Sequence, residues 1–251
     1  MISVVVPVNN EKDNIRPLLE EIREAARRAP ITEAVYVDDG SDDGSGAVLQ
    51  GLCAEFSFLR VVQHSARSGQ SLGLWTGINA ATGPIIVTLD GDGQNNPADI
   101  PLLFEKYKIL AGNNPRTMIA GQRAKRNDNL VRRLSSRAAN KIRAFILKDG
   151  TRDTGCSLKL FRREDYLSLP YFNHMHRYLP ALMKAHYVAV AHVDVSHRPR
   201  ERGVSKYGFW GRLGVGILDL AGAWWLLKRA RPDIKVVEIT PAKEKIREIG
   251  R

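Results

Sequence analysis

The fold is decided by the stretch IIVTLDGDGQ, residues 85–94, in which a short apolar run ends in two carboxylates. A run of about five apolar and β-branched residues, bounded by Gly and Asp, is typical of a buried strand. Similar runs occur at 2–6, 34–37 and 59–62, and helical patterns follow the four runs at 13–28, 45–56, 71–81 and 98–110. This alternation predicts an α/β fold with a mostly parallel central sheet flanked by helices.

Length and charge limit the kinds of protein that the chain can be. Its 251 residues, 43% of them hydrophobic, are enough for one α/β domain with extensions. A net charge of +11 favours an anionic partner such as nucleic acid, phospholipid or a phosphorylated substrate. Nine basic residues and one acidic residue lie between 116 and 143, so we expect one strongly positive surface.

The cysteines and the N-terminus indicate a cytoplasmic protein. Cys53 and Cys156 are 103 residues apart and match neither a disulfide framework nor a metal-ligand spacing. The first residues lack the zones of a signal peptide, and no run of about 18 apolar residues predicts a transmembrane helix.

Polar residues follow each of the four apolar runs. They occupy 7–11, 38–41, 63–67 and 90–94. Ligands of such sheets bind beyond the carboxyl ends of the strands. Turn and capping preferences explain any one of these loops, but four together predict a binding site at this edge.

Asp90 and Asp92 are the strongest candidates for metal ligands. Extended geometry at a strand end points both carboxylates to the same side, and paired hard oxygen ligands suit Mg²⁺ or Mn²⁺. A diphosphate bound to such a cation becomes a good leaving group. An EF-hand would need Gly and Glu where Asn95 and Pro101 stand, and neither a dinucleotide-binding nor a P-loop motif occurs.

Six segments together resemble glycosyltransferase family 2, which has the GT-A fold (a Rossmann-like, mostly parallel sheet flanked by helices). Within that family the chain is similar to the dolichol-phosphate mannosyltransferase-like polyprenyl-phosphate glycosyltransferases. The segments are VVPVNNE (5–11), VDDGSDDGS (37–45), LDGDGQ (89–94), GQR (121–123), DTGC (153–156) and HRPRERGVSKY (197–207). Asn9 stands where the family commonly has Tyr, and Gly91 and Gly93 replace the commoner Ala and Leu.

The resemblance implies roles for individual residues. The nucleotide-sugar site would be lined by Pro7, Asn9, Glu11, Asp38, Asp39, Arg67, Asp90 and Arg123. The metal would be held by Asp90, Asp92 and Gln94, and the acceptor phosphate by Arg200, Ser205 and Lys206. Catalytic residues would be Asp90, Asp92, Asp153, Arg200 and Lys206, with Asp153 near the acceptor.

The resemblance also implies a reaction. An inverting enzyme would move a sugar from a UDP- or GDP-linked donor to a polyprenyl (dolichyl or undecaprenyl-type) phosphate at the cytoplasmic face of the membrane. A phosphate monoester loses its second proton near pH 6, so the acceptor needs no strong general base. The enzyme must then align two anions and stabilise the departing diphosphate.

The remaining segments suggest contact with a membrane. We divide the chain into a GT-A domain (1–207), an amphipathic helix (208–231) and a charged tail (232–251). At 100° per residue, Arg212 and Asp219 share one stripe of the helix. The opposite arc holds Trp210, Ile217, Leu218, Ala221, Trp224 and Trp225. Such a face either lies in a bilayer interface or packs inside a protein.

A basic helix near 129–147 would add attraction to anionic lipid. The relatives with transmembrane helices carry them after this region, so a separate membrane-protein partner is conceivable.

Two other functions fit part of the pattern. A nucleic-acid-binding protein would use the basic stretch between 116 and 143, but it leaves the acidic cluster unexplained, so we expect no nucleic acid partner. A family 2 transferase could instead act on a soluble saccharide or a surface polysaccharide. Transfer of a labelled sugar to lipid or to water-soluble glycan separates the two kinds of transferase, and salt-sensitive binding to DNA would identify a nucleic-acid-binding protein.

Overall fold

The computed structural model describes residues 1–123, 146–147, 150–151, 153–196, 198–199, 209–230, 236–240 and 243–247. The strands are β1 (Ile2–Val8), β2 (Ile31–Asp38), β3 (Leu59–Gln63), β4 (Ile85–Thr88), β5 (Thr117–Arg123), β6 (Lys159–Arg162), β7 (Ala189–Val195), β8 (Val236–Thr240) and β9 (Lys243–Arg247). The helices are α1 (Lys12–Ala25), α2 (Ser45–Leu52), α3 (Gln70–Ala80), α4 (Ile100–Ala111), α5 (Arg163–Leu167), α6 (Leu179–Ala185) and α7 (Phe209–Lys228). Two 3₁₀ turns span Pro97–Asp99 and Met175–Arg177.

Seven strands form one mixed sheet in the order β3-β2-β1-β4-β6-β5-β7. All neighbours are parallel except β6, which runs antiparallel to both β4 and β5. This confirms the predicted α/β fold with a mostly parallel sheet. The chain moves outward from β1 to β3 and then returns to place β4 on the other side of β1. This reversal opens a crevice at the carboxyl ends of β1 and β4.

Both faces of the sheet are covered, which explains the continuous apolar runs. Ile15, Leu19 and Ile22 of α1 pack on one face. Leu74 and Ile78 of α3 pack on the other. A Cβ at Gly77 would lie 2.5 Å from Cγ1 of Val5, so α3 lies directly on the strands.

A buried carboxylate, Glu33, ties the first four strands together. It accepts hydrogen bonds from Ser3 Oγ at 2.5 Å, Arg60 Nη1 at 2.7 Å, the Thr82 backbone N–H at 2.5 Å and Thr82 Oγ1 at 2.8 Å. The Gly83 N–H adds a longer bond of 3.2 Å. Burial alone would raise the pKa of Glu33, but the hydrogen bonds from Ser3, Arg60 and Thr82 lower it to about 2. Glu33 is therefore an ionised structural group.

Some elements were not predicted. The strands β5 and β6 and the hairpin β8–β9, which lies in the predicted charged tail, were not among the four apolar runs that the sequence analysis identified. The predicted basic helix near 129–147 lies outside the described residues except for 146–147. Among the described residues, no helix combines the length and apolarity needed to cross a bilayer.

Helix α7 turns its acidic residue toward the protein and apolar residues outward. Asp219 lies 2.8 Å from Nδ1 of His174, and Ala223 is fully buried. Leu218, Trp224 and Trp225 are exposed, by 76%, 45% and 52%. A helix on a water-exposed surface normally turns its apolar face toward the core and its charged face toward water.

Candidate functional site

The acidic motif lies at the crevice beside β1. β4 ends at Thr88, and Asp90 then accepts a hydrogen bond from Gln70 Nε2 at 2.6 Å. Asp92 accepts one from the Gln94 backbone N–H at 3.1 Å. Gln70 is the first residue of α3, so the close packing of this helix on the sheet positions the amide that holds Asp90.

The two carboxylates are suited to a divalent cation. Burial, and then the negative charge of Asp92, raise the pKa of Asp90 to about 6. A cation between them would neutralise this repulsion. Within the described part of the chain, no group of three or more His, Cys, Asp or Glu residues could hold a metal. Mg²⁺ commonly takes one or two carboxylates and completes its shell with water and substrate phosphates, so the pair fits such an ion.

Asp38 is fully buried, and its carboxylate accepts hydrogen bonds from the loop after β2 and from the end of β3. One carboxylate oxygen accepts from the Ser41 N–H at 3.0 Å, and the other accepts from Gln63 Nε2 at 3.0 Å. These contacts fix the loop after β2. Asp38 is therefore buried and hydrogen-bonded at this edge of the sheet.

Asp39 organises the loop after β3. Its carboxylate accepts from the Ser68 and Gly69 N–H groups, both at 2.8 Å, and contacts His64 Nδ1 at 2.8 Å. His64 Nε2 lies 3.0 Å from Thr76 Oγ1 on α3. This network joins two of the four polar loops.

The other predicted nucleotide-site residues lie around this network. Asn9 Nδ2 donates to the Asp39 carbonyl at 2.8 Å, and Glu11 accepts from Asn14 Nδ2 at 2.7 Å. Arg67 is exposed, and its backbone N would lie 2.6 Å from a Cβ added at Gly40. Gly40 has φ +64°, so a side chain there is disfavoured both by strain and by this contact. Pro7 packs against α3, where a Cβ added at Gly73 would lie 2.9 Å from the Pro7 side chain.

Arg123 and Asp153 form a buried pair. The guanidinium donates to both carboxylate oxygens, with Nη2 to Oδ1 at 2.8 Å. Asp153 also accepts from the Gly155 N–H at 3.2 Å. The hydrogen bond that Arg123 donates to Asp153 raises the pKa of Arg123. The resemblance assigns Arg123 to the nucleotide-sugar site and Asp153 to the vicinity of the acceptor, and the structure pairs the two side chains.

The segment 198–199 contacts the acidic loop. Arg198 donates its backbone N–H to the Gln94 carbonyl at 3.1 Å and its guanidinium to Glu21 at 2.8 and 2.6 Å. A further bond of 3.2 Å reaches the Asn95 carbonyl. The chain therefore approaches the predicted metal site just before Arg200. Arg200, Ser205 and Lys206 lie outside the described residues.

A cavity beside Asp90 is lined by charged and polar residues that the sequence analysis missed, together with Leu74 and Leu179. Its lining includes Gln70, Asp90, Ser157, Lys159, His176 and Arg177. Lys159 pairs with Thr88 across β4 and β6, so it lies at the same edge as Asp90. The rule for parallel strands considers only carboxyl ends, whereas the antiparallel β6 brings its amino end to this edge.

Comparisons with known proteins agree with this geometry. Residues 3–168 match the family model for Glycosyl transferase family 2. The dodecaprenyl-phosphate galacturonate synthase of Rhizobium johnstonii is 33% identical over 237 residues, which cover 92% of this chain and 69% of the relative. The undecaprenyl-phosphate 4-deoxy-4-formamido-L-arabinose transferase of Pectobacterium carotovorum is 31% identical over 210 residues, covering 83% of this chain but only 63% of that protein.

Solved structures share the fold. Glucosyl-3-phosphoglycerate synthase from Mycobacterium tuberculosis, in complex with Mn²⁺, UDP-glucose and glycerol 3-phosphate, aligns with a TM-score of 0.67 at 18% identity. The alignment covers 99% of this chain and 87% of that one. Mannosyl-3-phosphoglycerate synthase from Rubrobacter xylanophilus gives a TM-score of 0.64 at 17% identity, over 98% and 85% of the two chains. At these identities the likeness shows the fold alone.

Proposed function

The chain belongs to glycosyl transferase family 2, and from this premise we propose that it transfers a sugar from a nucleotide-sugar to a polyprenyl phosphate. The observation that carries the proposal is the Asp90–Asp92 pair at the crevice between β1 and β4. Two relatives that cover most of the chain act, by their names, on dodecaprenyl and undecaprenyl phosphates.

On the donor side, Asp90, Asp92 and Gln94 would hold Mg²⁺ or Mn²⁺. A cation bound there supplies positive charge that stabilises the departing diphosphate. Asp39 and Asn9 keep the loops after β1, β2 and β3 together, which shapes the pocket for a UDP- or GDP-linked sugar. The Arg123–Asp153 pair stabilises the wall of the crevice near Asp90. The positive charge of Arg123 also acts on the Asp90 carboxylate.

On the acceptor side, the chain needs to position an oxyanion rather than remove a proton. A polyprenyl phosphate is already largely doubly ionised at neutral pH, so its oxygen attacks the anomeric carbon directly and inverts it. Arg200, Ser205 and Lys206 would bind this phosphate. Support for their location comes from Arg198, which contacts the acidic loop only two residues before Arg200.

The acceptor also explains the outward apolar face of α7. Exposed Trp224 and Trp225 are suited to a bilayer interface, and the net charge of +11 favours an anionic lipid surface. We therefore place the enzyme at the cytoplasmic face of the membrane as a peripheral protein. A separate membrane-protein partner is compatible with this arrangement.

The test is transfer of label from a panel of UDP- and GDP-sugars to polyprenyl phosphate in detergent or vesicles. We expect label in an organic-extractable, acid-labile lipid, and its loss with a chelator or in Asp92→Asn. Activity should return when Mg²⁺ or Mn²⁺ is added back to the chelated wild type. Label that enters only water-soluble glycan would instead show a saccharide acceptor.

A further inference from the structure

The cavity beside Asp90 has a cationic lining. It measures about 210 Å³ and lies where β4 and β6 meet α3 and the 3₁₀ turn Met175–Arg177. Sites that enclose a drug-sized ligand have about 300–1,000 Å³, so this one suits a smaller group such as one sugar ring or one phosphate. Lys159 and Arg177 both line it.

Lys159 is buried, and the carboxylates of Asp90 and Asp153 act on its charge without forming an ion pair with it. Only 5% of the residue is exposed, and Nζ donates to the Cys156 carbonyl. Within the described part of the chain, no carboxylate lies within ion-pair distance of Nζ. Burial lowers the pKa of Lys159, as expected for an ammonium removed from water. An ammonium buried in this way is costly unless a counter-ion accompanies it.

Two other titratable residues of the lining, His176 and Asp90, affect the charge that Lys159 and Arg177 give to the cavity. His176 Nδ1 lies 2.7 Å from Ser71 Oγ, and burial and the nearby Arg177 lower the pKa of His176 to about 3, so it is neutral at pH 7. Asp90 also lines the cavity, where it accepts a hydrogen bond from Gln70, and under the proposed function its charge would be balanced by the metal. An anion entering the cavity would therefore meet two cations.

We propose that this cavity is an oxyanion subsite in which Lys159 and Arg177 bind a negatively charged group of the substrate held at Asp90. The inference rests on the proposed function and deepens it. Two substrate groups have this chemistry: a carboxylate on the donor sugar, as in a nucleotide-linked uronic acid, and the phosphate of the acceptor. Both would lie beside the metal-bound diphosphate.

The decisive variant is Lys159→Met, which removes the charge but keeps an unbranched side chain of similar length. Steady-state kinetics would compare UDP-galacturonate with UDP-galactose, each over a range of undecaprenyl phosphate concentrations. A rise of tenfold or more in KM for UDP-galacturonate alone identifies the sugar carboxylate as the bound group. An equal rise in KM for undecaprenyl phosphate with either donor identifies the acceptor phosphate. Unchanged KM values for donors and acceptor in a folded variant would overturn the proposal.

Controls separate this proposal from its premise. Arg177→Gln should shift the same KM as Lys159→Met, whereas Lys106→Met, which removes an exposed lysine on α4, should shift none. Thermal unfolding checks that each variant is folded. If the wild type transfers no sugar to lipid, the proposed function fails. Calorimetric binding of UDP-galacturonate, UDP-galactose and undecaprenyl phosphate to wild type and Lys159→Met still tests the subsite, which is refuted if no affinity differs between the two proteins.

Discussion

Replacing Gly91 by Ala, the commoner residue of the family at this position, should strain the acidic motif in this chain because Val8 occupies the space that the methyl group needs. A Cβ at this position would lie 2.5 Å from Val8 Cγ1 and 3.2 Å from the Pro7 carbonyl oxygen. Val8 is 2% exposed and β-branched, so it cannot rotate away freely. Overpacking of this kind costs about 1–3 kcal/mol. For a chain of this size, each kcal/mol lowers Tm by about 2–4 °C.

The strain acts on the residues that would bind the metal, since Gly91 lies between Asp90 and Asp92. A displacement of about 1 Å in a site can cost about a hundredfold in rate, so smaller shifts should lower kcat/KM by about tenfold. The assays are thermal unfolding and sugar transfer at saturating Mn²⁺. Added cation should not restore the activity, because geometry rather than affinity alone is altered.

The double variant Gly91→Ala/Val8→Ala tests the cause. Removing Cγ1 of Val8 opens space for the new methyl group. The double variant should therefore lose less free energy of unfolding than the two single variants lose together, by about 1 kcal/mol or more. Gly51→Ala on α2 is the matched control, since its Cβ would meet no atom within 4 Å. Wild-type Tm and activity in Gly91→Ala would refute the steric argument.

Three further predictions concern other parts of the molecule. The pKa of Glu33 is about 2 in the folded protein and 4.5 in the unfolded chain, so its ionised form stabilises the fold above about pH 5 and this stabilisation is lost as the pH falls toward 2. The free energy of unfolding in urea, measured from pH 7 to pH 3, should therefore depend less on pH in Glu33→Gln than in the wild type. Asp153→Asn leaves the Arg123 guanidinium buried beside a neutral amide and should cost about 3–5 kcal/mol in urea unfolding, unless Arg123→Met is combined with it; an unchanged midpoint for Asp153→Asn would show that the pair is not structural. Trp224→Ser/Trp225→Ser should reduce co-sedimentation with phosphatidylglycerol vesicles at least tenfold at an unchanged Tm, since both residues are half exposed; equal binding by the variant would place the membrane contact elsewhere.

The first half of the fold was predictable because its strands are buried on both faces. β1, β2 and β4 therefore contain mainly apolar runs, whereas the edge strand β3 is interrupted by Arg60. The rule for carboxyl ends predicted Asp39, Asp90 and Asp92 at one edge. β5 and β6 were not predictable in this way. Lys and Arg bound β6, and its central residues pair with β4 and β5, which are distant in sequence.

The same limit applies to the site. Asp153 and Arg123 are separated by 30 residues, and no local pattern pairs them. Lys159 reaches the cavity because β6 is reversed, and strand direction cannot be read from four residues. For α7, helical periodicity identified an apolar arc but left open whether that arc faces a bilayer or packs inside the protein. The contact of Asp219 with His174 and the burial of Ala223 show which side faces the protein.

The hydrogen bonds of Glu33 also set an order for folding during synthesis. Its donors lie as far back as Ser3 and as far ahead as Gly83. Until Gly83 has left the ribosome, the carboxylate lacks the donors of Thr82 and Gly83, so burying it is unfavourable. β1, β2 and β3 are therefore expected to close into a cooperative unit only when β4 follows. A nascent chain halted before residue 83 would expose unpaired strand edges and be prone to aggregation.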